Sequence, residues 1–596
     1  MPRRKGRLLL AALAAWALAP APALGQLGLD FSAPKKKEEK KKGDNGEPTV
    51  LAPLEIGKKG KPAPKGAGKE RLEAAKKILA EGALETGAIA LSEILRDDKL
   101  SDAHDDARYL LGKTLARLGL HHSALSRFDA ILAKGQQGTK YFHTALEYVF
   151  TIGKKLKNEQ PVVTRVAAFA TAGFPPAYQD RFHFLLSKYE YERGRALSEA
   201  GQGSEAKSAF GEALRLASLV RPLSVGDTPA SGAKELGVEV AEERPGDDFA
   251  RARFVVGLVQ YALGDQAKAV DAFKDVVRLT NPKKATDADP LLRESAFLQL
   301  ARIHYENRQN RYAIFYYGKM PWGGENWLEG LWEASYAHYR IADYEKTLGN
   351  LLTLQSPYFR DEYFPESWVL KAIVYYENCR YPEARKILQD FDSIYAPVFG
   401  ELESFTGGQK RPEAYFDLID EAQKSTATDA RSGTLRKIMR LAFTDVNIKN
   451  LVETIGEIEH EMDVGIGERR PEFRQSALAK ELSDALTAER DRLIQEAGAR
   501  ARQKLEYELD QLRTLLAQAL RIQIEVSRKE REALEGSLAA GGQVEVVRDL
   551  QFSYAVSDEH LFWPYEGEFW RDELGTYAYT LTKGCAGRAT RADADR

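Results

Sequence analysis

The stretch Leu111-Gly112-Lys113-Thr114-Leu115-Ala116-Arg117-Leu118-Gly119-Leu120-His121-His122-Ser123-Ala124-Leu125-Ser126-Arg127-Phe128 reads as a helix, a sharp turn at Gly119 and a second helix. Apolar residues recur at three- and four-residue steps on both sides of the glycine, the pattern of paired helices. The same frame returns twice. Gly194 is followed by Gly201, Ala206 and Phe210, and Gly257 is followed by Gly264, Ala269 and Phe273. In all three copies the offsets from the first glycine are seven, twelve and sixteen residues. Each position has a physical reason. The first glycine permits close approach on the first helix, and the second ends that helix in a backbone conformation that few other residues tolerate. The alanine lies where the second helix crosses the first, and the aromatic is expected to fill the gap between neighbouring pairs.

Weaker copies follow in the same frame. Phe297, Leu300, Ala301, Ala313 and Tyr317 form one. Trp368, Ala372, Tyr375, Tyr376, Tyr381 and Ala384 form another, with Pro397 expected after its second helix. A third covers Leu331 to Leu352, with Tyr344 at the turn. Together these residues resemble the tetratricopeptide (TPR) family. Its unit of roughly 34 residues carries a large residue, Leu-Gly, an aromatic, a turn glycine, Ala, an aromatic, Ala and a closing Pro. The resemblance covers residues 70–399 and implies an all-α, TPR-like α-solenoid of about seven to nine helix pairs. The segments 141–175 and 223–248 read as insertions or eroded repeats. The repeated glycines, alanines and aromatics are packing residues. The resemblance also implies a concave face, lined by the first helix of each pair, that holds an extended peptide or a helix. Tyr305, Tyr339, Tyr375 and Tyr376 are its candidate lining, although helical period alone does not separate the two inner surfaces of a pair.

Ahead of the array, Met1-Pro2-Arg3-Arg4-Lys5-Gly6-Arg7, the apolar run Leu8–Leu18 and the small residues Ala23 and Gly25 have the parts of a secretory signal peptide over residues 1–25. The run is shorter than the roughly 20 residues needed to span a bilayer. No cysteine follows it to take a lipid. The expectation is an exported, periplasmic chain starting near Gln26. Residues 26–69 hold the mixed-charge block Lys35–Lys42 and Pro62-Ala63-Pro64, and read as a disordered tether. A basic arm touching an anionic surface is the alternative.

Two features interrupt or follow the repeats. Pro222–Pro245 reads as a long loop. Met320-Pro321-Trp322-Gly323-Gly324-Glu325-Asn326-Trp327 is a turn whose tryptophans either meet a partner or cap a helix pair. Residues 400–540 turn to Ala, Glu, Arg, Leu and Gln. Leu505, Leu509, Leu512, Leu516, Ala519 and Val526 form a heptad stripe interrupted at Gln523, expected to fold back as a hairpin against Leu435–Met462. A homo-oligomer through this helix is left open. Residues 541–596 form a tail. After the short extended piece Val544–Val547, it concentrates Phe562, Trp563, Tyr565, Phe569, Trp570, Tyr577 and Tyr579 among acids, either as an apolar plug or as a docking segment. The words Phe562-Trp563-Pro564-Tyr565 and Phe569-Trp570-Arg571-Asp572-Glu573-Leu574, after a repeat array and a long helix, look like exported envelope TPR proteins of myxobacteria, including those of the gliding-motility apparatus.

Composition bounds the chemistry. The chain has 596 residues with 86 basic and 88 acidic side chains, so no global positive field points to nucleic acid. Two cysteines exclude a disulfide-dense or cysteine-built zinc scaffold. They pair, or stand as two isolated thiols, which is the preferred reading. His121-His122 is expected to be solvated at a repeat turn, and His460-Glu461 lacks the second histidine of a zinc-protease helix. Acid pairs on these helices read as solvated faces. No phosphate-binding loop or nucleophile elbow is present, so no catalytic, cofactor or metal residue is assigned. The expected function is a non-catalytic scaffold of the cell envelope that assembles protein partners, in a motility or transport complex. The alternative is a wall- or polymer-binding protein.

Overall fold

The computed structural model describes residues 67–153, 155–156, 160–167, 179–222, 247–283, 289–408, 410–424, 430–539, 567–579 and 581. The signal peptide, nearly all of the tether, the loop after Pro222, Val544–Val547, and the candidate residues Phe562, Trp563 and Tyr565 lie outside the described residues. Among those described the chain is all-α, with 21 helices and no strand. Eight successive pairs make the array. They are Ala67–Ala80 with Leu84–Arg96, His104–Arg117 with His121–Leu132, Phe142–Gly153 with Gln160–Ala167, and Gln179–Glu199 with Gly203–Ser218. Then come Asp247–Ala262 with Gln266–Leu279, Pro290–Glu306 with Asn310–Tyr317, Trp327–Arg340 with Tyr344–Leu354, and Pro365–Glu377 with Tyr381–Thr406. Helices Pro412–Lys424, Ala430–Phe443, Val446–His460, Pro471–Arg474 and Ala477–Ala539 follow. The described chain divides into two units. One holds Val256–Lys449 and the residues from Ile494 onward; the other holds the residues up to Val255 with Asn450–Leu493.

One turn recurs in seven of the eight pairs. Gly82, Gly119, Gly201 and Gly264 sit at φ of 83°, 79°, 74° and 84°, each just past the first helix of its pair. The next amide donates to a carbonyl five residues back: Ala83 to Ile78, Leu120 to Leu115, Gln202 to Leu197 and Asp265 to Gln260. This satisfies a carbonyl that the helix end would otherwise leave free. Three further pairs make the same turn without glycine. Arg308, Ala342 and Cys379 take φ of 58°, 60° and 60°, and Gln309, Asp343 and Arg380 donate to His304, His338 and Tyr375. A side chain in this conformation crowds its own carbonyl, at a cost of about 1 kcal/mol. Ala342→Gly is therefore expected to raise stability by about 1 kcal/mol, less the extra unfolded-chain freedom of glycine. Urea unfolding of the two chains measures this; a loss of stability would contradict the shared turn.

The first glycine of each strong copy is a contact point. An added Cβ would lie 3.0 Å from the Phe128 ring at Gly112, 2.6 Å from Phe210 at Gly194 and 2.6 Å from Phe273 at Gly257. The aromatic thus closes onto the glycine of its own pair, where the sequence reading had it filling the gap between pairs. Phe128 does both, since it also stacks on Tyr148 of a later helix at 5.1 Å. Ala124, Ala206 and Ala269 are buried beside these contacts.

Two expectations about helix ends need correction. A helix already begins at Ala67, inside the segment assigned to the tether. At the other end, Tyr381–Thr406 runs straight through Pro397 and past the boundary at 399. An interior proline costs about 3 kcal/mol. Burial of Phe391, Tyr395, Val398 and Leu402 along one face offsets that cost.

Helix Ala477–Ala539 has 63 residues and is roughly 95 Å long at 1.5 Å per residue. Its buried stripe is Leu505, Leu509, Leu512, Leu515, Ala519, Ile522 and Val526. Leu515 and Ile522 take the places that a strict heptad gives to Leu516 and Gln523, because a straight helix drifts off a seven-residue repeat. Its polar partners include residues of array helices and of Pro412–Lys424. In one unit Glu481 pairs with Arg96 at 2.8 Å and Arg127 at 2.7 Å. In the other, Arg513 lies over Phe399 at 5.6 Å, Glu530 pairs with Arg385 at 3.0 Å, and a Cβ on Gly498 would overlap the Pro412 carbonyl.

Candidate functional site

Helix Tyr344–Leu354 builds the most distinctive surface of its unit. Asp343 caps it, accepting from the Lys346 amide at 3.2 Å. Leu351 and Leu354 face inward and pack with Leu370, Leu331, Trp332 and Tyr339. Lys346, Gly349 and Thr353 share another face, at three- and four-residue steps. The tail lies on that face.

Its contacts are largely main-chain. Trp322 Nε1 donates to the Leu574 carbonyl at 3.0 Å, and the Gly575 amide donates to Thr353 Oγ1 at 2.9 Å. Lys346 Nζ donates to the carbonyls of Thr576 at 2.9 Å and Tyr577 at 3.3 Å. The Tyr579 amide donates to the Glu345 carbonyl at 2.9 Å. Gly349 is small for this reason, since a Cβ there would overlap the Tyr577 carbonyl. Gly575 has φ of 88°, and a Cβ on it would meet the Trp327 ring at 2.7 Å. Leu574 is fully buried and Tyr579 meets the edge of Tyr375 at 6.4 Å. Burial, with Tyr579 beside it, pushes the Tyr375 hydroxyl pKa well up, and burial lowers that of Lys346.

The Trp322–Trp327 turn splits into two roles. Trp327 is buried and meets Trp322 at 5.8 Å and Phe359 at 6.0 Å. Trp322 stays half exposed while holding the tail. Glu294 organises the turn: its carboxylate accepts from the Asn326 amide at 2.6 Å and fills the space that a Gly324 Cβ would need. Trp322, Arg571 and Asp572 line an open cleft of about 610 Å³, and Trp570 nearby in the chain is half exposed.

The other candidates are distributed through the fold. Tyr305 is buried under the Arg340 guanidinium, 3.7 Å from its ring. The hydroxyls of Tyr339 and Tyr344 both donate to Glu377 at 3.1 Å. Tyr376 lies against Tyr381 at 5.8 Å. Of the four tyrosines, Tyr375 lies against the tail, its ring 6.4 Å from that of Tyr579. Ala301, Ala313, Ala372 and Ala384 are fully buried, Trp368 is partly buried, and Phe569 is on the described part of the tail.

Cys379 is disulfide-bonded, which corrects the reading of two isolated thiols. The chain's one other cysteine, Cys585, lies outside the described residues.

Two charge readings also change. Glu329 and Glu333 are not a solvated face: both reach the largely buried Arg302, which donates to Glu333 at 2.6 Å and also to Glu329. Tyr317 donates to Glu333 at 2.8 Å. His121 and His122 are not solvated either. Burial lowers the His121 pKa, and His122 Nε2 lies 3.4 Å from Glu457. Helix His121–Leu132 has leucine at its N-cap and no local side-chain cap. The buried Glu461 supplies one from far along the sequence, accepting from the amides of His122 at 2.8 Å and Ser123 at 2.9 Å. Glu461→Ala is expected to cost about 1–2 kcal/mol, the upper range for losing a cap. Hydrogen exchange at the His122 and Ser123 amides should speed up, and unchanged rates would refute the cap.

No protein-family profile matches this chain, and comparison with curated proteins finds no relative. Among the described residues no helix is long and apolar enough to cross a membrane.

Proposed function

We propose that this chain is an exported, non-catalytic helical-repeat scaffold of the bacterial envelope that assembles other proteins, in a motility or transport complex. The observation that carries this reading is the seated tail: a surface of the array already receives a peptide segment through its main chain. The resemblance of the repeated frame to TPR units supports the same role, since such arrays present long faces to peptides. The signal-like start supports export. Affinity capture from envelope extract tests the reading, comparing a chain starting at Gln26 with one that also ends at Gly541. Recovery of defined envelope proteins is expected, and recovery of none from either chain would refute it.

A second reading, binding of a wall polymer, draws on the open cleft beside Trp322, Arg571 and Asp572. Half-exposed indoles with polar neighbours suit a ligand that has both apolar and polar faces. Capture of polymer alone would favour it.

A further inference from the structure

We infer that helix Tyr344–Leu354, with Trp322 and Trp327, forms a binding site for a peptide segment of hydrophobic–Gly–x–x–x–aromatic sequence that turns at its glycine, which this chain's own Leu574–Tyr579 occupies. The inference deepens the scaffold reading and rests on it for its biological use, but the contact itself stands on geometry.

The register supports it. Gly575 bonds Thr353, Tyr577 lies over Gly349, and Tyr579 bonds Glu345. Each step of two tail residues matches four helix residues, in opposite directions. The segment turns at Gly575, whose φ is 88°, with the Thr576 amide donating to the Glu573 carbonyl at 3.0 Å, and then continues along the helix to Tyr579. Gly575, Tyr577 and Tyr579 are partly buried against the helix, while Thr576 and Ala578 are exposed.

Recognition falls on features that any chain of this pattern can supply. Three carbonyls and two amides of the segment are bonded by Trp322, Lys346, Thr353 and Glu345. The side-chain demands are few. One is an apolar residue in the place of Leu574. The next is glycine at 575, because of its left-handed φ and the Trp327 ring against it. The last is an aromatic that meets Tyr375. On the site, Gly349 is required because no side chain fits beneath the Tyr577 carbonyl. A helix-interior glycine weakens its helix by roughly 0.5–1 kcal/mol, so its presence here has this specific return.

The test vacates the site without altering it. In the full chain, Gly575→Val removes the left-handed residue from the tail and leaves every array residue intact. A phosphine reductant then splits the Cys379 disulfide, and water supplies the oxygen of the phosphine oxide formed and the protons of the two thiols released. A fluorescent peptide of residues 567–581 is titrated into this reduced variant and followed by anisotropy. Saturable binding is expected, weakened at least tenfold when Gly349→Leu is added. The oxidised wild-type chain, its site filled, should bind at least tenfold more weakly than the reduced variant. A Gly575→Val chain that keeps its helical circular dichroism but binds no peptide would overturn the inference. So would equal binding with and without Gly349→Leu. Lys346→Met, which leaves the helix packing untouched, gives a second measure, expected to weaken binding severalfold. Failure of the peptide to bind leaves envelope capture standing as its own result, so the two readings fail separately.

Discussion

Phe273→Ala is expected to destabilise its part of the array by about 3–5 kcal/mol, the usual range for emptying a buried phenylalanine site. Phe273 is fully buried beside Ala269, Ala272 and Val276, and its ring edge rests on Gly257. That contact makes a sharper prediction with a change of sign. In the native chain, Gly257→Ala places a Cβ 2.6 Å from the ring and is expected to cost about 1–3 kcal/mol. In the Phe273→Ala background the ring is gone, and the same substitution should stabilise by about 0.5–1 kcal/mol, because alanine favours helix over glycine. Hydrogen exchange within helices Asp247–Ala262 and Gln266–Leu279 reads both effects locally. Additive costs with no sign change would mean that the glycine is not there for the ring.

Arg302→Met is expected to cost about 3–5 kcal/mol near pH 7.5, as when one member of a buried ionic set is removed. The guanidinium serves two carboxylates, Glu329 and Glu333, and methionine keeps much of the volume while removing that shared cation. The loss should shrink as pH falls, because the buried Glu329 carboxylate then takes up a proton. A related slope belongs to the unaltered chain. Burial pushes the carboxyls of Glu329 and Glu366 up to about 7, well above their ordinary 4.5. Between those values the folded chain holds more protons than the unfolded one, so stability falls as pH rises from about 4.5 to about 7. Glu366→Gln should flatten part of that slope in urea midpoints taken across the range. A midpoint that instead rises with pH, and steepens in the variant, would contradict the burial.

The array was legible because its rules are local. A glycine seven residues after another, then alanine and an aromatic, reports a turn and a crossing that depend on neighbours close in sequence. The turns at Arg308, Ala342 and Cys379 carry the same geometry without glycine, and were traced only through apolar residues around them. What lay beyond reach depends on distant partners. Nothing near Leu120 says that Glu461 caps its helix, and nothing near Glu329 says that Arg302 is buried beside it. The tail site had one overlooked signal. Gly349 stands in mid-helix between Leu348 and Asn350, where glycine is unfavourable unless something approaches closely. The aromatic tail stands out in the sequence, yet plug and dock are not separable there, because clustered aromatics suit both; the structure shows a mixture, with Leu574 buried and Trp570 half exposed.

Non-reducing peptide mapping of the chain isolated from its native envelope tests the central claim, an exported scaffold with its tail held on its own array, most directly. Cys379 is disulfide-bonded, Tyr579 rests against Tyr375, and only one other cysteine exists in the chain. The account predicts a linked pair of peptides containing Cys379 and Cys585 in nearly every molecule. Recovery of both cysteines as free thiols in that exported protein would contradict it.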